Sequence, residues 1–420
     1  MSVYETHGLG FAIEERPAWR VPNDLTTSVM LTRITEFERA YRAFPKDTHA
    51  AKWMHSTYVP TQTVEFVLGS NILEHVGTQE WKATQDALQA QLEIDGALSF
   101  LRPKDSDGAP AESDSESAYK PDRDLPKEEV DAMTPAAEER RDHAIRETRQ
   151  TLAAMQTLRK FHDESLLELQ AASAQREAWD TKKQSPIRLE EAHMLTPGVL
   201  LDAHKSLMDG LLSKHSKTVA GTSTPVLPGS LRSAEVMAGS VLFKGYLHNY
   251  LPSTYVEGHL FQLIDAYNHF CAEMPSTDEP FLRTELCFKI SAKLVYEFMT
   301  IHPFPNGNGR MAQLLACRAL APVCPFPVLM HPIMKPNQIV HLPVEVKRPG
   351  GLTDHFTVEL PTARSVYIAA IESAWFHATR KGQPTLLAAM LIENGYQLWS
   401  SAFDQMQQIG LIDNQLVAVE

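Results

Sequence analysis

No run of about 18 uncharged apolar residues occurs anywhere in the 420-residue chain, and its opening, "MSVYETHGLGFAIEERPAWR", lacks the basic flank and apolar core of a secretion signal. Basic side chains are in the minority, 39 Lys and Arg against 52 Asp and Glu, for a formal net charge of −13. No Lys/Arg stretch is interleaved with aromatics. Neither a membrane partner nor a nucleic-acid partner is therefore expected. Cysteine is scarce: Cys271, Cys287, Cys317 and Cys324 have no metal-ligand spacing, and three of them fall in apolar, helix-like runs where a free thiol packs as a small hydrophobe. A soluble, unsecreted protein of a reducing compartment is expected, cytoplasmic with the nucleus left open. Internal repeats are not evident. With 43% hydrophobic residues, the chain has material for two domains or one elaborated domain.

From about 25 to 100 the periodicity is helical, with "SVMLTRITEFERAYRAF" and "TVEFVLGSNILEHV" repeating apolar residues every three or four positions. Between Arg102 and Asp131 the composition turns to Asp, Ser, Glu and Pro, too poor in apolar groups to offset the entropy of ordering, which predicts an acidic disordered insertion. A helix start at Thr134 and Pro135 follows, with a helix-compatible pattern to about Ala178 and Leu152, Met155, Leu158 and Phe161 on one stripe. Further on, "VLLDAHKSLMDGLL" is amphipathic, "SAEVMAGSVLFKGYL" has the short β-compatible runs of a hairpin around Gly239 and Ser240, and helices resume at "GHLFQLIDAYNHFCAEM" and from Glu285 to Ile301. Pro322, Pro325 and Pro327 stop the next helix. A second hairpin is predicted over 338–359, turning at Pro349, Gly350 and Gly351, and the chain is helical again from Ala363.

The most informative stretch is "HPFPNGNGR", residues 302–310, set between two helical runs. A helix starting near Arg310 leaves its first amides unpaired and carries partial positive charge at that end, which stabilises an anion. Gly307 and Gly309 lack the Cβ atoms that would keep a phosphate from those amides. Arg310 adds a fork suited to phosphate oxygens, and the side-chain carbonyl of Asn306 is an oxygen ligand of the kind Mg²⁺ prefers. His302, beside this cradle, has the chemistry to take a proton from an incoming hydroxyl, and Phe304 is placed to anchor the loop in the core.

These residues resemble the Fic (Fido) family, whose signature is H-x-F-x-[D/E]-G-N-G-R-x-x-R. The chain matches it at His302, Phe304, Gly307, Asn308, Gly309 and Arg310, and departs from it at Asn306, in place of the acidic residue, and Gln313, in place of the second arginine. "LTPGVLLDAHKSLMDGL" looks like the helix that opens the family core, and "PGSLRSAEVMAG" like its flap, with Gly229, Arg232, Val236 and Gly239 in step. The resemblance covers about residues 195–325, and more weakly 60–80 and 363–390.

The resemblance implies a mainly α protein, a helical core carrying a β-hairpin flap with an N-terminal helical region. It implies transfer of AMP from ATP, with Mg²⁺ or Mn²⁺, to a Ser, Thr or Tyr hydroxyl of a target protein aligned along the flap near Val236. His302 would be the base, Gly307, Asn308 and Gly309 the phosphate cradle, Arg310 and Gln313 the contacts to the outer phosphates, and Tyr367 a candidate for the adenine pocket. Ser70 and Glu74 in "SNILEHV" resemble the family's inhibitory helix, whose glutamate takes the γ-phosphate place. Here His75 and Val76 stand for its usual Gly-Asn tail. Because Gln313 cannot form the ion pair that the family's second arginine makes, Glu74 needs another partner, Arg310 or a hydrogen bond to Gln313. Loss of the carboxylate at 306 and the arginine at 313 predicts weakened metal and phosphate holding and hence reduced activity. Removal of AMP from a modified protein, or nucleotide binding without turnover by an interaction protein, are the other activities compatible with these departures. A homo-oligomer is compatible with all of them. The expected division is an N-terminal helical region over 1–100 with the inhibitory helix at 63–78, the acidic insertion at 101–133, a long helix or helical hairpin at 134–194, a catalytic core at 195–330, and a hairpin with C-terminal helices at 331–420.

Overall fold

The computed structural model describes residues 8–21, 24–94, 139–158, 194–209, 215–217, 223–225, 227–272, 279–335, 337–347, 353–376 and 381–412. The acidic insertion, Thr134, Pro135, Phe161 and the Pro349–Gly351 turn lie outside the described residues.

Helices run over Thr27–Ala43, His49–Trp53, Val59–Glu74, Trp81–Ile94, 139–158, Pro197–Met208, Val256–Ala272, Pro280–Ile301, Asn308–Leu320, Ala363–Phe376 and Thr385–Gln408, with a π-helical turn at Met54–Tyr58. Local chemistry sets many of their ends. The Thr26 and Thr196 hydroxyls accept from the Val29 and Val199 amides, Pro197 and Pro280 occupy first turns where no amide partner is needed, and the prolines after Leu320 prevent continuation. The helix expected to begin near Arg310 begins at Asn308.

Among the described residues the strands form three two-stranded antiparallel sheets. β1 (His215–Lys217) pairs with β2 (Ser223–Pro225), a ladder the sequence did not predict because its residues are mostly small and polar. β3 (Met237–Gly239) pairs with β4 (Leu247–Asn249), the expected flap, with the chain turning over 240–246 rather than at Gly239 and Ser240. β5 (Val340–Lys347) pairs with β6 (Thr353–Leu360), burying Val340, Leu342, Val344 and Leu360. The described residues are mainly α, with a helical core and hairpins, as the sequence predicts.

The core is built around Pro280–Ile301, against which Thr27–Ala43, Val256–Ala272, Asn308–Leu320 and Thr385–Gln408 pack. Phe288, Phe298, Phe304, Trp399 and Phe403 are buried in it, as are Leu152, Met155 and Leu158 of the 139–158 helix. Two buried charge groups fasten outer helices to this centre. Glu393 accepts from Trp19 at 2.6 Å and Arg20 at 3.1 Å, and Glu38 accepts from Arg283 at 2.6 Å and is paired with Arg42. All four cysteines are free thiols, Cys287 and Cys324 buried, as expected of packing residues.

Candidate active site

Phe304 is fully buried, and its ring lies flat on that of His204, centroids 3.7 Å apart and planes 2° from parallel. The loop is then closed by its own asparagines. The Asn308 Oδ1 accepts from the Phe304 amide at 3.0 Å, and its Nδ2 donates to the Phe304 carbonyl at 2.7 Å. Asn306 Oδ1 accepts from the Gly307 amide at 2.7 Å. Both ends of the Asn308 side chain are thus spent on Phe304, and what it can offer a ligand is its backbone amide. Gly307 has φ +79°, a left-handed conformation that glycine adopts without steric cost, and it caps the helix Asn308–Leu320.

His204 was not singled out from the sequence. Its Nδ1 accepts from the Gly229 amide at 3.0 Å, which makes Nε2 the protonated nitrogen that donates to the Asn306 carbonyl at 3.1 Å. One buried imidazole thereby joins the start of the flap segment to the signature loop. Burial chiefly lowers its pKa, to about 4, with the Arg310 charge adding and the Asn306 carbonyl opposing.

His302 ends Pro280–Ile301 in the left-handed region, φ 49°, with its amide donating to the Phe298 carbonyl at 2.8 Å. Its ring stacks on Tyr250, centroids 3.9 Å apart at 19°, and next to this pair His248 stacks on Trp375 at 4.1 Å and 8°. The residue is half-buried, and protein atoms surround its ring densely. Its Nδ1 is buried without a hydrogen-bond partner of good geometry. Burial, reinforced by Arg232 and His248 and weakly opposed by the Met299 carbonyl, lowers its pKa to about 3, so it is neutral over the physiological range.

Arg232 is a fastener. Nε donates to the His302 carbonyl at 2.7 Å, Nη2 to those of Ile301 at 3.2 Å and Leu251, and Nη1 to Ala234 at 3.0 Å, while its amide donates to Pro303 at 2.9 Å. It satisfies the last carbonyls of a helix and holds the flap to the loop. Val236 is buried, its carbonyl accepting from the Tyr250 amide at 3.3 Å, and Gly239 has open space where a Cβ would sit. On its other side the flap is gripped by Glu372, which accepts from Ser240 Oγ at 2.7 Å, the Val241 amide at 3.0 Å and the Leu242 amide at 2.9 Å.

Glu74 is the last residue of Val59–Glu74, and the fold brings it onto the signature loop. Its carboxylate lies so close over Gly309 that a Cβ there would meet Oε1 at 2.2 Å. Gln313 Nε2 donates to it at 3.5 Å, a long bond. Burial raises its pKa, opposed by Arg364, then Arg310, then the Gln313 bond. Both partners expected of Glu74 are present, and Arg364 is a third the sequence did not reveal. Ser70, one turn back, is fully buried with Oγ unpartnered. His75 adopts φ 52°, left-handed, the conformation a glycine tail would adopt freely. Beyond it, Asn71 Nδ2 donates to Thr148 Oγ1 at 3.0 Å, and the Gly77 and Thr78 amides donate to Glu147 and Thr148 at 2.9 Å each, fixing this end to the 139–158 helix.

Arg310 is buried, one nitrogen 3.7 Å from Met208 Sδ and Nη1 without a partner. Gln313 Oε1 and Tyr367 Oη are likewise buried and unpartnered, and Tyr367 is packed within the core. The unpartnered donor of Arg310 beside a helix N-terminus suits an anion, whereas the Gln313 Oε1 is an acceptor and needs a donor. A metal is served less well. Among the described residues no group of three or more His, Cys, Asp or Glu could hold one, and the Asn306 oxygen already accepts from Gly307.

Residues 195–320 match the sequence model of the Fic/DOC family. This stretch is a Fic domain. Fic domains generally transfer AMP or other nucleotidyl groups onto proteins and are typically transferases. No curated protein matches the chain. Among solved structures, a Fic domain-containing signaling protein from Bacteroides thetaiotaomicron is 12% identical, with a TM-score of 0.50 over 92% of this chain and 99% of that one. A Fic family protein from Desulfovibrio desulfuricans is 16% identical, TM-score 0.45, over 96% and 80%. Fic-1 from C. elegans is 12% identical, TM-score 0.47, over 91% and 73%. The first of these likenesses is one of fold alone. Among the described residues no helix is long and apolar enough to cross a membrane.

Proposed function

We propose that this Fic domain protein is an adenylyltransferase that moves AMP from ATP to a Ser, Thr or Tyr hydroxyl of a protein and is restrained by Glu74. One observation carries the reading: a neutral imidazole stands beside a helix N-terminus on which the protein has laid a carboxylate of its own. The place Glu74 occupies over Gly309 is a place for an anion, and a triphosphate entering there would meet the first amides of the helix and the unpartnered Nη1 of Arg310.

In the reaction His302 takes the hydroxyl proton, the hydroxyl oxygen bonds to the α-phosphorus, the bond from that phosphorus to the bridging oxygen breaks, and pyrophosphate leaves. Burial makes the imidazole a weak base, and the negative charge of bound triphosphate opposes that, favouring the imidazolium as it forms. The remaining contribution is positioning and charge. The flap, held by Arg232 and Glu372, offers backbone for the target segment. A divalent cation would supply charge neutralisation of the phosphates when bound, and the Asn306 side-chain oxygen, which also accepts from the Gly307 amide, would be its ligand from the signature loop.

Asn306, whose carbonyl is already engaged, favours the second reading, a domain that binds nucleotide without turnover. Labelled ATP with Mg²⁺ or Mn²⁺, supplied to the wild type, Glu74→Gly and His302→Ala, separates the two. Self-labelling raised in Glu74→Gly and absent in His302→Ala supports transfer. Measurable ATP binding with no label in any variant supports the second reading.

A further inference from the structure

Glu74 reports where an anion is stabilised, and its surroundings show which cations do the stabilising. A carboxylate hemmed in by protein needs an opposite charge, and the hydrogen bond it accepts from the neutral Gln313 at 3.5 Å does not provide one. Arg310 contributes from below, on the same helix as Gly309. Arg364 contributes from a different element, the first turn of Ala363–Phe376, and is the foremost charge acting on Glu74. Its placement is structural as well as electrostatic. Arg364 Nε donates to the carbonyl of Leu73 at 2.6 Å, at the negative end of the helix that Glu74 terminates. One turn along, the buried Tyr367 hydroxyl, without a partner, lies in the field of both Glu74 and Arg364.

We propose that Arg364 supplies the cation missing at Gln313, in two successive roles. With Glu74 in place it caps the helix and balances the carboxylate. With Glu74 withdrawn it faces the same anion site and binds the outer phosphates of the nucleotide. The inference rests on the reading of this site as one for a triphosphate.

Calorimetric titration of ATP and AMP tests it, using Glu74→Gly alone and combined with Arg364→Gln. The expected result is a fall of about tenfold in ATP affinity on losing Arg364, the size of one charge-assisted contact, with AMP affinity changed far less. Adding Gln313→Arg to that pair should return most of the ATP affinity, because it restores a cation on the same site from the neighbouring element. If Arg364→Gln does not fold, Arg364→Lys serves: it keeps the charge but loses the fork, and ATP should weaken more than AMP, by a smaller factor. ATP and AMP weakened equally, or neither weakened, overturns the role of Arg364 while leaving the triphosphate site standing. Glu74→Gly binding neither nucleotide removes the site itself, and the role of Arg364 with it.

Discussion

Phe304–Gly309 and the Glu74 side chain touch one another, but they are held in different ways. In the loop, both backbone groups of Phe304, the Gly307 amide and the Asn306 carbonyl are met by bonds of 2.7 to 3.1 Å from Asn308, Asn306 and His204. Around the Glu74 carboxylate, the one short-range partner is at 3.5 Å, and Ser70 Oγ, Gln313 Oε1 and Arg310 Nη1 are buried without partners. The loop is complete without a ligand. In the proposed reading the carboxylate is a stand-in for a ligand anion, while the backbone around it is held at Leu73, Gly77 and Thr78.

The contrast can be broken most severely at the base. In a Glu74→Gly background, His302→Ala should lower transfer by about 10² to 10⁴, the usual contribution of a general base, with ATP affinity preserved in a binding titration. On the loop side, Asn308→Ala leaves the buried Phe304 amide and carbonyl without partners and should reduce stability by about 2 to 4 kcal/mol in denaturant unfolding. Gly307→Ala forces a left-handed alanine and should cost about 1 to 2 kcal/mol by the same measurement. Gly309→Ala sharpens the comparison differently. Its Cβ displaces the end of a flexible side chain and no backbone, so stability should change little, while amide exchange of residues 72–76 quickens and no transfer is gained, because the methyl covers the approach to the helix.

The smallest effect is on pH dependence. His204, lowered to about 4, and His302, lowered to about 3, are neutral in the folded chain, whereas unfolded histidines take up protons below about 6.5. The unfolded state therefore binds more protons in that window, and stability falls as pH drops from 6.5 toward 4. Glu74 and Glu393, raised by burial, act in the opposite sense. The melting temperature should be lower at pH 5 than at pH 7, and His204→Gln should lessen that difference.

The helices and the loop were legible because their determinants are local: threonine caps, prolines, apolar stripes and the nine residues of the signature. Glu74 was legible through spacing and resemblance. What the sequence concealed is the set of long-range partners. His204, Tyr250, Arg364 and Glu372 come from four other segments, and nothing near each in sequence distinguishes it from an ordinary helix or flap residue. The Asn308 side chain shows the same thing at short range: only the fold of the loop turns it back on Phe304, four residues earlier.

His302 both terminates Pro280–Ile301 and carries the imidazole, in a backbone conformation that side chains other than glycine seldom take. A glycine would end the helix more comfortably and leave nothing to accept a proton. Since Arg232 grips the carbonyl of that same residue, the chain cannot finish this helix without also aiming the ring, so assembly of the fold would ready the proposed base in the same event. Substitutions that loosen the helix end should therefore dim the chemistry before they unfold the protein.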